Sequence, residues 1–168
     1  MIRILILITG FLFSHAVHAQ QTNYEKKVSL QDSILLNDFW TKFKTAVNTN
    51  DKVMLSKLCE FPFYCSPCID DTTLKNNDHS TIKVTKKLFN ESQYQLFFDK
   101  PIKHVVKEHK NFVIYIFHRS FDNKERSKGF MFSYTIVAPS KKWEGVQGWI
   151  YLDKIAGKYK ITGIDTVP

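Results

Sequence analysis

The sequence is poor in glycine and cysteine, and beyond its first twenty residues it has no long apolar run. Its 168 residues include 6 glycines and 3 cysteines. A glycine-rich phosphate loop, a His-Glu-x-x-His metal motif and a Ser-His-Asp arrangement are all absent, so the enzyme classes that carry those signatures are excluded. Internal repeats, low-complexity segments and flexible linkers are also absent. A single domain of roughly 150 residues is therefore the simplest organisation.

The N-terminus predicts a secretory signal peptide over residues 1–19. Arg3 supplies a positive charge, residues 4–13 form a short apolar core, and Val17 and Ala19 place small or compact residues before a cut after Ala19. The alternative is a membrane anchor, but the apolar core is shorter than the about 20 residues of a span. No cysteine follows the cut to carry a lipid. We expect a soluble exported protein, periplasmic or secreted, with a flexible segment over residues 20–28 and a single α+β roll domain over residues 29–168.

Basic residues exceed acidic ones along the whole chain. The formal net charge is +8, and removal of Arg3 with the signal peptide lowers it to +7. The aromatic-plus-basic signatures of RNA-binding modules are absent, so we expect no nucleic-acid partner. In an exported protein the excess positive charge would suit anionic envelope polymers, lipid head groups or acidic proteins. It would equally suit a surface that is simply solvated, because the lysines form no long block.

The first half of the expected mature chain has the spacing of amphipathic helices. Apolar side chains recur every fourth position in the first of them: Leu35, Phe39, Phe43 and Val47. We predict helices over residues 33–48, 52–59 and 86–98, and a short strand over residues 81–84. The candidate N-terminal caps are Ser29 or Asp32, then Asn50 or Asp51, then Thr85. Pro62 should end the second helix region.

The last third of the chain predicts strands. Apolar and aromatic runs from residue 111 onward are separated by charged, turn-forming segments, and Ala156-Gly157 marks a tight turn between the last two runs. Strands so close in sequence pair antiparallel. Helices followed by an antiparallel sheet predict an α+β fold with the helices packed on one face of the sheet.

Two stretches resemble the nuclear transport factor 2-like superfamily, a cystatin-like, cone-shaped α+β roll shared with polyketide cyclases and ketosteroid isomerase. They are "FWTKFKTAVNTNDKVMLSKLCEFPF" and the closing hairpin "IAGKYKITGID". The resemblance implies N-terminal helices on a curved antiparallel sheet. In isomerase-type members a pocket acid faces a Tyr or Asp donor, for which Tyr115, Tyr134 and Asp38 would be candidates. None of them lies in a matching motif, so no catalytic role is carried over.

Members without a catalytic pair bind a ligand or another protein with the cone or with the open sheet face. We therefore expect a non-catalytic module that binds a small apolar ligand or a protein, with a homodimer through the sheet face as one arrangement. The aromatic load predicts an apolar pocket lined by Phe112, Phe130, Phe132, Tyr134 and Trp149, although core packing would explain the same residues. We predict no metal, cofactor or catalytic residue. A small enzyme of isomerase, cyclase or hydrolase type and a thiol-redox protein are the alternatives.

All three cysteines fall in the stretch "CEFPFYCSPCIDD". The pair Cys65 and Cys68 has the spacing of a redox dithiol, but no helix start or βαβ context surrounds it. Three thiols with His79 could make a zinc site, although the spacing matches no common motif. Export favours a structural disulfide. Cys65–Cys68 is the expected bridge, with Cys59–Cys68 the alternative, and Cys59 is then a buried spare thiol.

Overall fold

The computed structural model describes residues 28–68, 82–108, 115–119 and 127–167. The expected signal peptide lies outside the described residues, as do the segment over 20–27 and the polar loop over 70–80. The described helices are α1 (Leu30–Thr49), α2 (Lys52–Leu58), α3 (Lys86–Glu91), a 3-10 helix (Gln93–Phe98) and α4 (Lys100–Glu108). The described strands are β1 (Cys59–Cys65), β2 (Ile82–Val84), β3 (Tyr115–Arg119), β4 (Ser127–Val137), β5 (Val146–Ile155) and β6 (Lys158–Val167).

Short polar side chains begin the helices as the sequence predicts. Ser29 caps α1 by accepting a hydrogen bond from the Asp32 amide at 3.0 Å. Asp51 caps α2 through the Met54 amide, and Thr85 caps α3 through the Leu88 amide. Each cap satisfies an amide that has no partner inside its own helix. The predicted helix starts near residues 52 and 86 are therefore confirmed.

The predicted helix over residues 86–98 is not continuous. It breaks at Ser92, whose φ of −147° is not helical, and continues as the 3-10 helix. A further helix, α4, follows in a segment whose structure the sequence analysis does not predict. Pro101 falls in the first turn of α4, where its missing N–H costs no intrahelical bond.

The described strands form one mixed sheet in the order β2-β1-β6-β5-β4-β3. Strands β3 to β6 pair antiparallel, as predicted, but β1 runs parallel to β6. The sequence analysis does not predict β1, because it places the end of the second helix region at Pro62 and a loop after it. A proline inside a strand removes a ladder donor. It is tolerated here because the β1–β6 register shifts between Cys59 and Tyr64, around Pro62.

The closing hairpin has the turn that the sequence predicts. Ile155 pairs with Lys158, so Ala156 and Gly157 alone connect β5 to β6. Both have positive φ, at 47° and 76°. Two positive φ values in a two-residue loop are the type I′ turn, whose twist matches that of antiparallel strands.

One hydrophobic cluster lies between the helices and one face of the sheet. Trp40 and Phe43 of α1 pack edge-on against Phe132 of β4, with ring centroids 5.6 and 5.4 Å apart. Phe97 of the 3-10 helix contacts Phe43 from the side. Of the helices that the structure describes, none combines the length and the apolar character needed to cross a bilayer. The predicted α+β architecture, with helices packed on a sheet, is confirmed.

A polar network ties the start of α1 to the β5–β6 hairpin. The Asp32 carboxylate accepts hydrogen bonds from the Ser29 hydroxyl at 2.7 Å, the Tyr159 hydroxyl at 2.8 Å and the Lys154 ammonium at 3.1 Å. These bonds, that to Ser29 first, lower the pKa of Asp32 below its ordinary value. The pKa of Tyr159 is raised by burial and by its bond to Asp32. The network therefore depends on an ionised Asp32.

We expect Asp32→Asn to lower the free energy of unfolding at neutral pH and to flatten its dependence on acid. A carboxyl whose pKa is lowered by folding stabilises the protein fully above its unfolded pKa of about 4, and this contribution is lost as pH falls through the folded value. Urea unfolding at pH 7 and below about pH 3 would measure both effects. Asp38→Asn is the control: Asp38 lies on the same helix and, within the part of the chain that the structure describes, is bound only to the exposed Lys42. Equal losses in the two variants would contradict the role given to the network.

Candidate functional site

A pocket of about 450 Å³ opens where α1 and α2 meet the start of β6. Its lining is drawn from these three elements: Leu35, Asp38, Phe39 and Lys42 from α1; Asp51, Val53, Met54, Lys57 and Leu58 from α2 and its cap; Lys158, Tyr159 and Lys160 from β6. The α1 residues have the i, i+3, i+4, i+7 spacing of a single helix face. One amphipathic face of α1 thus forms a wall of the pocket.

The lining combines apolar side chains with a basic rim, which consists of Lys42, Lys57, Lys158 and Lys160. Four lysines and two aspartates give it a formal excess of two positive charges. The Asp38 carboxylate is 2.6 Å from the Lys42 ammonium, and Asp51 accepts the α2 cap bond from the Met54 amide at 2.8 Å. Both acidic side chains therefore already have partners within the protein.

The other three lysines differ in what they contact. The Lys160 ammonium donates a hydrogen bond to the Lys57 carbonyl, which joins β6 to the end of α2. Within the described residues, the Lys57 and Lys158 ammoniums have no hydrogen-bond acceptor and no ion-pair partner. Two cations of the rim are thus available to a ligand.

The network around Asp32 fixes one wall of this pocket. Tyr159 lines the pocket, and its hydroxyl is held by Asp32. Lys158 precedes Tyr159 and follows the Ala156-Gly157 turn, so the same network holds that end of the hairpin against α1. The hydrogen bonds of Tyr159 and Lys154 to Asp32 therefore hold the β6 lysines in place beside α1.

The structure does not bring the five residues of the predicted aromatic pocket together. Phe130, Phe132 and Tyr134 are buried on the helix side of β4, where Phe132 fills the space beside α1. Trp149 lies on the opposite face of the sheet, because its neighbours Gly148 and Ile150 are buried and side chains alternate along a strand. Phe112 lies outside the described residues. None of the four described residues lines the pocket beside α1 and α2.

The family-type catalytic candidates are also separated. Tyr134 is buried in the core, and its hydroxyl has no hydrogen-bond partner within the part of the chain that the structure describes. Burial, and secondarily the charge of Asp99, raises the pKa of Tyr134 to about 12. Asp38 lies at the pocket in an ion pair with Lys42, and Tyr134 is not part of that lining. The two do not form an acid–donor pair in one pocket.

Cys65 and Cys68 are joined as a disulfide, with Cα atoms 5.4 Å apart. Cys59 is free and buried, and burial raises its thiol pKa well above the ordinary range. The Cys59 Sγ lies 3.5 Å from the Leu55 carbonyl, at the junction of α2 and β1. A buried thiol with a raised pKa is chemically inert at neutral pH.

The surroundings of the disulfide suit a structural role. Cys65 ends a strand and is fully buried, so neither exposure nor a helix N-terminus activates its sulfur. Ser66 holds the loop on β6: its amide donates to the Ile164 carbonyl at 3.0 Å, and its hydroxyl donates to Asp165 at 2.7 Å. Among the described residues, no three His, Cys, Asp or Glu side chains gather as metal ligands would. His79, the fourth ligand of the zinc alternative, lies outside them.

We expect the double variant Cys65→Ser, Cys68→Ser to keep its fold and lose a modest part of its stability. The ring is small, so the loss should stay below the roughly 3 kcal/mol that a 15-residue loop contributes. Thermal unfolding with and without reductant measures it. Ser66→Ala is a companion variant that removes the bonds of the Ser66 hydroxyl to β6 and leaves the disulfide and the amide bond to the Ile164 carbonyl. Two free thiols at Cys65 and Cys68 in oxidised protein would overturn this assignment.

The four pocket lysines were not singled out by the sequence analysis. Lys42, Lys57, Lys158 and Lys160 come from three elements that meet only in the folded chain, and each alone has the appearance of a surface lysine. The one available signal was local. Leu35, Asp38 and Lys42 share a helix face that mixes apolar and charged residues, which is unusual for a stripe that packs only on a core.

No protein-family model matches the chain, and no curated protein matches it in sequence. Solved structures with a similar fold include a five-substitution variant of the chain Rd1NTF2_05, at 14% identity and a TM-score of 0.37 over 79% of this chain and 96% of that one. A second is a Xanthomonas campestris chain with a provisional assignment as a calcium/calmodulin-dependent protein kinase II association domain. Its identity is 13% and its TM-score 0.38, over 83% of this chain and 87% of that one. A third is an NTF2-like protein of unknown function from Shewanella baltica. Its identity is 13% and its TM-score 0.35, over 84% of this chain and 98% of that one.

Likenesses with identities and TM-scores this low carry no argument about function. The fold assignment rests on the chain itself. A capped pair of helices, α1 and α2, packs with later helices on a sheet whose antiparallel part closes in the Ala156-Gly157 hairpin. In this arrangement the chain is an α+β protein whose fold resembles that of the nuclear transport factor 2-like superfamily.

Proposed function

We propose that this chain is a non-catalytic binding module and that its ligand site is the pocket between α1, α2 and β6. One observation carries the proposal: a concave site of about 450 Å³ has apolar walls and two lysines that have no partner among the described residues. Its volume falls in the range of about 300–1,000 Å³ typical of small-molecule sites. Both carboxylates of the described lining are engaged by the protein, Asp38 by Lys42 and Asp51 by the Met54 amide.

A charge-balanced fragment library, screened by protein-observed NMR, tests this proposal without assuming a ligand. We expect amides of the pocket lining to shift with at least one fragment class. Leu35→Trp should block those shifts, because Leu35 lies half-buried on the pocket wall. The matched control is Ile34→Trp, the same kind of change one residue away on the exposed side of α1. If no fragment of any charge shifts the pocket amides, the site is wrong.

Two further parts of the proposal concern export and assembly. We infer that residues 1–19 direct export and are removed, since the order of positive charge, apolar core and small residues suits signal peptidase. The intact mass of the exported protein measures this directly, and a mass that includes residues 1–19 contradicts it.

A homodimer through the sheet face opposite the described helices stays a prediction. Met131, Trp149 and Tyr64 lie on that face, and sedimentation of wild type against Trp149→Asp measures it.

A further inference from the structure

The pocket lining combines two chemically different groups of side chains, apolar ones and lysines. Leu35, Phe39, Met54 and Leu58 supply an apolar surface at its base. Val53 adds to that surface while remaining 63% exposed, so part of the apolar wall lies in contact with water. Covering exposed apolar surface is favourable in proportion to its area. A hydrocarbon group would therefore be stabilised against this wall.

The rim of the pocket selects the sign of the other end. Lys42 is neutralised by Asp38 at 2.6 Å, and Lys160 donates to the Lys57 carbonyl. Lys57 and Lys158 remain without acceptors among the described residues, on two elements that the Lys160–Lys57 bond holds together. Two unneutralised ammoniums in the lining of one concave site attract anions and repel cations.

We propose that the pocket binds a small amphipathic anion, whose carboxylate or phosphate head contacts Lys57 and Lys158 and whose short hydrocarbon body lies on the apolar wall. The inference rests on the proposed function, since it names the ligand class of the same site. A small molecule is favoured over an acidic protein segment because the charge is concentrated around a concavity of about 450 Å³ instead of along an extended face.

Four probes that share one eight-carbon chain separate the contributions of the two ends. Octanoate, octyl phosphate, 1-octanol and octylammonium are titrated into the full chain and followed by the pocket amides. We expect both anions to bind, octanol to bind roughly three- to tenfold more weakly, and octylammonium to bind more weakly still. Comparison of octanoate with octyl phosphate decides which head group is preferred. Raising the salt from about 0.15 M to 1 M should weaken only the anions, because the screening length shortens from about 8 to 3 Å.

Matched charge variants locate the effect. Lys57→Gln with Lys158→Gln should weaken octanoate binding roughly three- to tenfold and leave octanol unchanged. Lys83→Gln with Lys141→Gln removes the same total charge from exposed positions outside the pocket lining and should change neither. Equal weakening by both double variants would mean a general charge effect and would overturn the proposal.

The remaining outcomes distinguish this inference from the proposed function. If octanol and octanoate bind equally and Leu35→Trp blocks both, the pocket binds ligands but the anion assignment is wrong. If no probe binds while library fragments still shift the pocket amides, the ligand class is likewise wrong and the site stands. If an oligo-glutamate peptide displaces octanoate and binds more tightly, the small-molecule assignment fails. If nothing shifts the pocket amides, both proposals fail.

Discussion

Replacement of Phe43 by alanine should lower the free energy of unfolding by about 3–5 kcal/mol, the range for removal of a buried aromatic side chain. Phe43 is fully buried in α1 and contacts rings from three elements. Its centroid lies 5.4 Å from that of Phe132 in β4, 6.3 Å from Phe97 in the 3-10 helix and 5.7 Å from Trp40 in its own helix. Its removal would leave a cavity at the junction of α1, the sheet and the later helices.

Urea unfolding followed by circular dichroism measures this loss. Domains are commonly stable by about 5–15 kcal/mol, so the alanine variant is close to the threshold of folding. Phe43→Leu keeps the test informative, with an expected loss on the order of 1 kcal/mol. Leu30→Ala, on the same helix but at a position that is 80% exposed, should change stability by less than about 0.5 kcal/mol. A loss for Phe43→Ala no larger than that for Leu30→Ala would contradict the central place of Phe43.

Helix α1 could be predicted because Phe43 belongs to a periodic pattern of apolar residues. Helical periodicity is a local property, and Leu35, Phe39, Phe43 and Val47 display it without any knowledge of the sheet. Caps are local as well, since Ser29, Asp51 and Thr85 each bond an amide three residues away. The closing hairpin needs only two adjacent residues that accept positive φ. These features were recovered because a few neighbouring residues determine each of them.

What was missed depends on contacts between distant parts of the chain. Strand β1 contains Pro62, and local rules disfavour a proline there. β1 is held between two partner strands, β2 and β6, and β6 comes about a hundred residues later, with Tyr64 opposite Gly163. The pocket has the same character, because Lys57 and Lys158 meet only after the hairpin has docked on α1. The described residues of the predicted aromatic pocket lie on both faces of the sheet, and composition cannot tell which face of a strand Trp149 occupies until the register is known.

Gly148→Ala should be destabilising by roughly 1–3 kcal/mol, as overpacking of a core commonly is. Gly148 of β5 lies directly opposite Tyr134 of β4, and the Tyr134 ring covers it. A Cβ at residue 148 would fall well inside van der Waals contact with three ring atoms, including Cε2 at 2.6 Å. Both residues are buried, so the ring cannot turn aside into solvent.

The clash predicts a specific coupling between the two positions. In a Tyr134→Ala background the ring is gone, so Gly148→Ala should cost little, and the coupling energy from the four unfolding curves should be about 1–3 kcal/mol. Gly157→Ala is the control for backbone strain alone, since its φ is +76° but, beyond its chain neighbours, no atom of the described residues lies within 4 Å of the added Cβ. Its cost should be the same with Tyr134 present or absent. Additive losses at residues 134 and 148 would show that the Tyr134 ring does not occupy the space above Gly148. That result would also contradict the packing described for the helix side of β4.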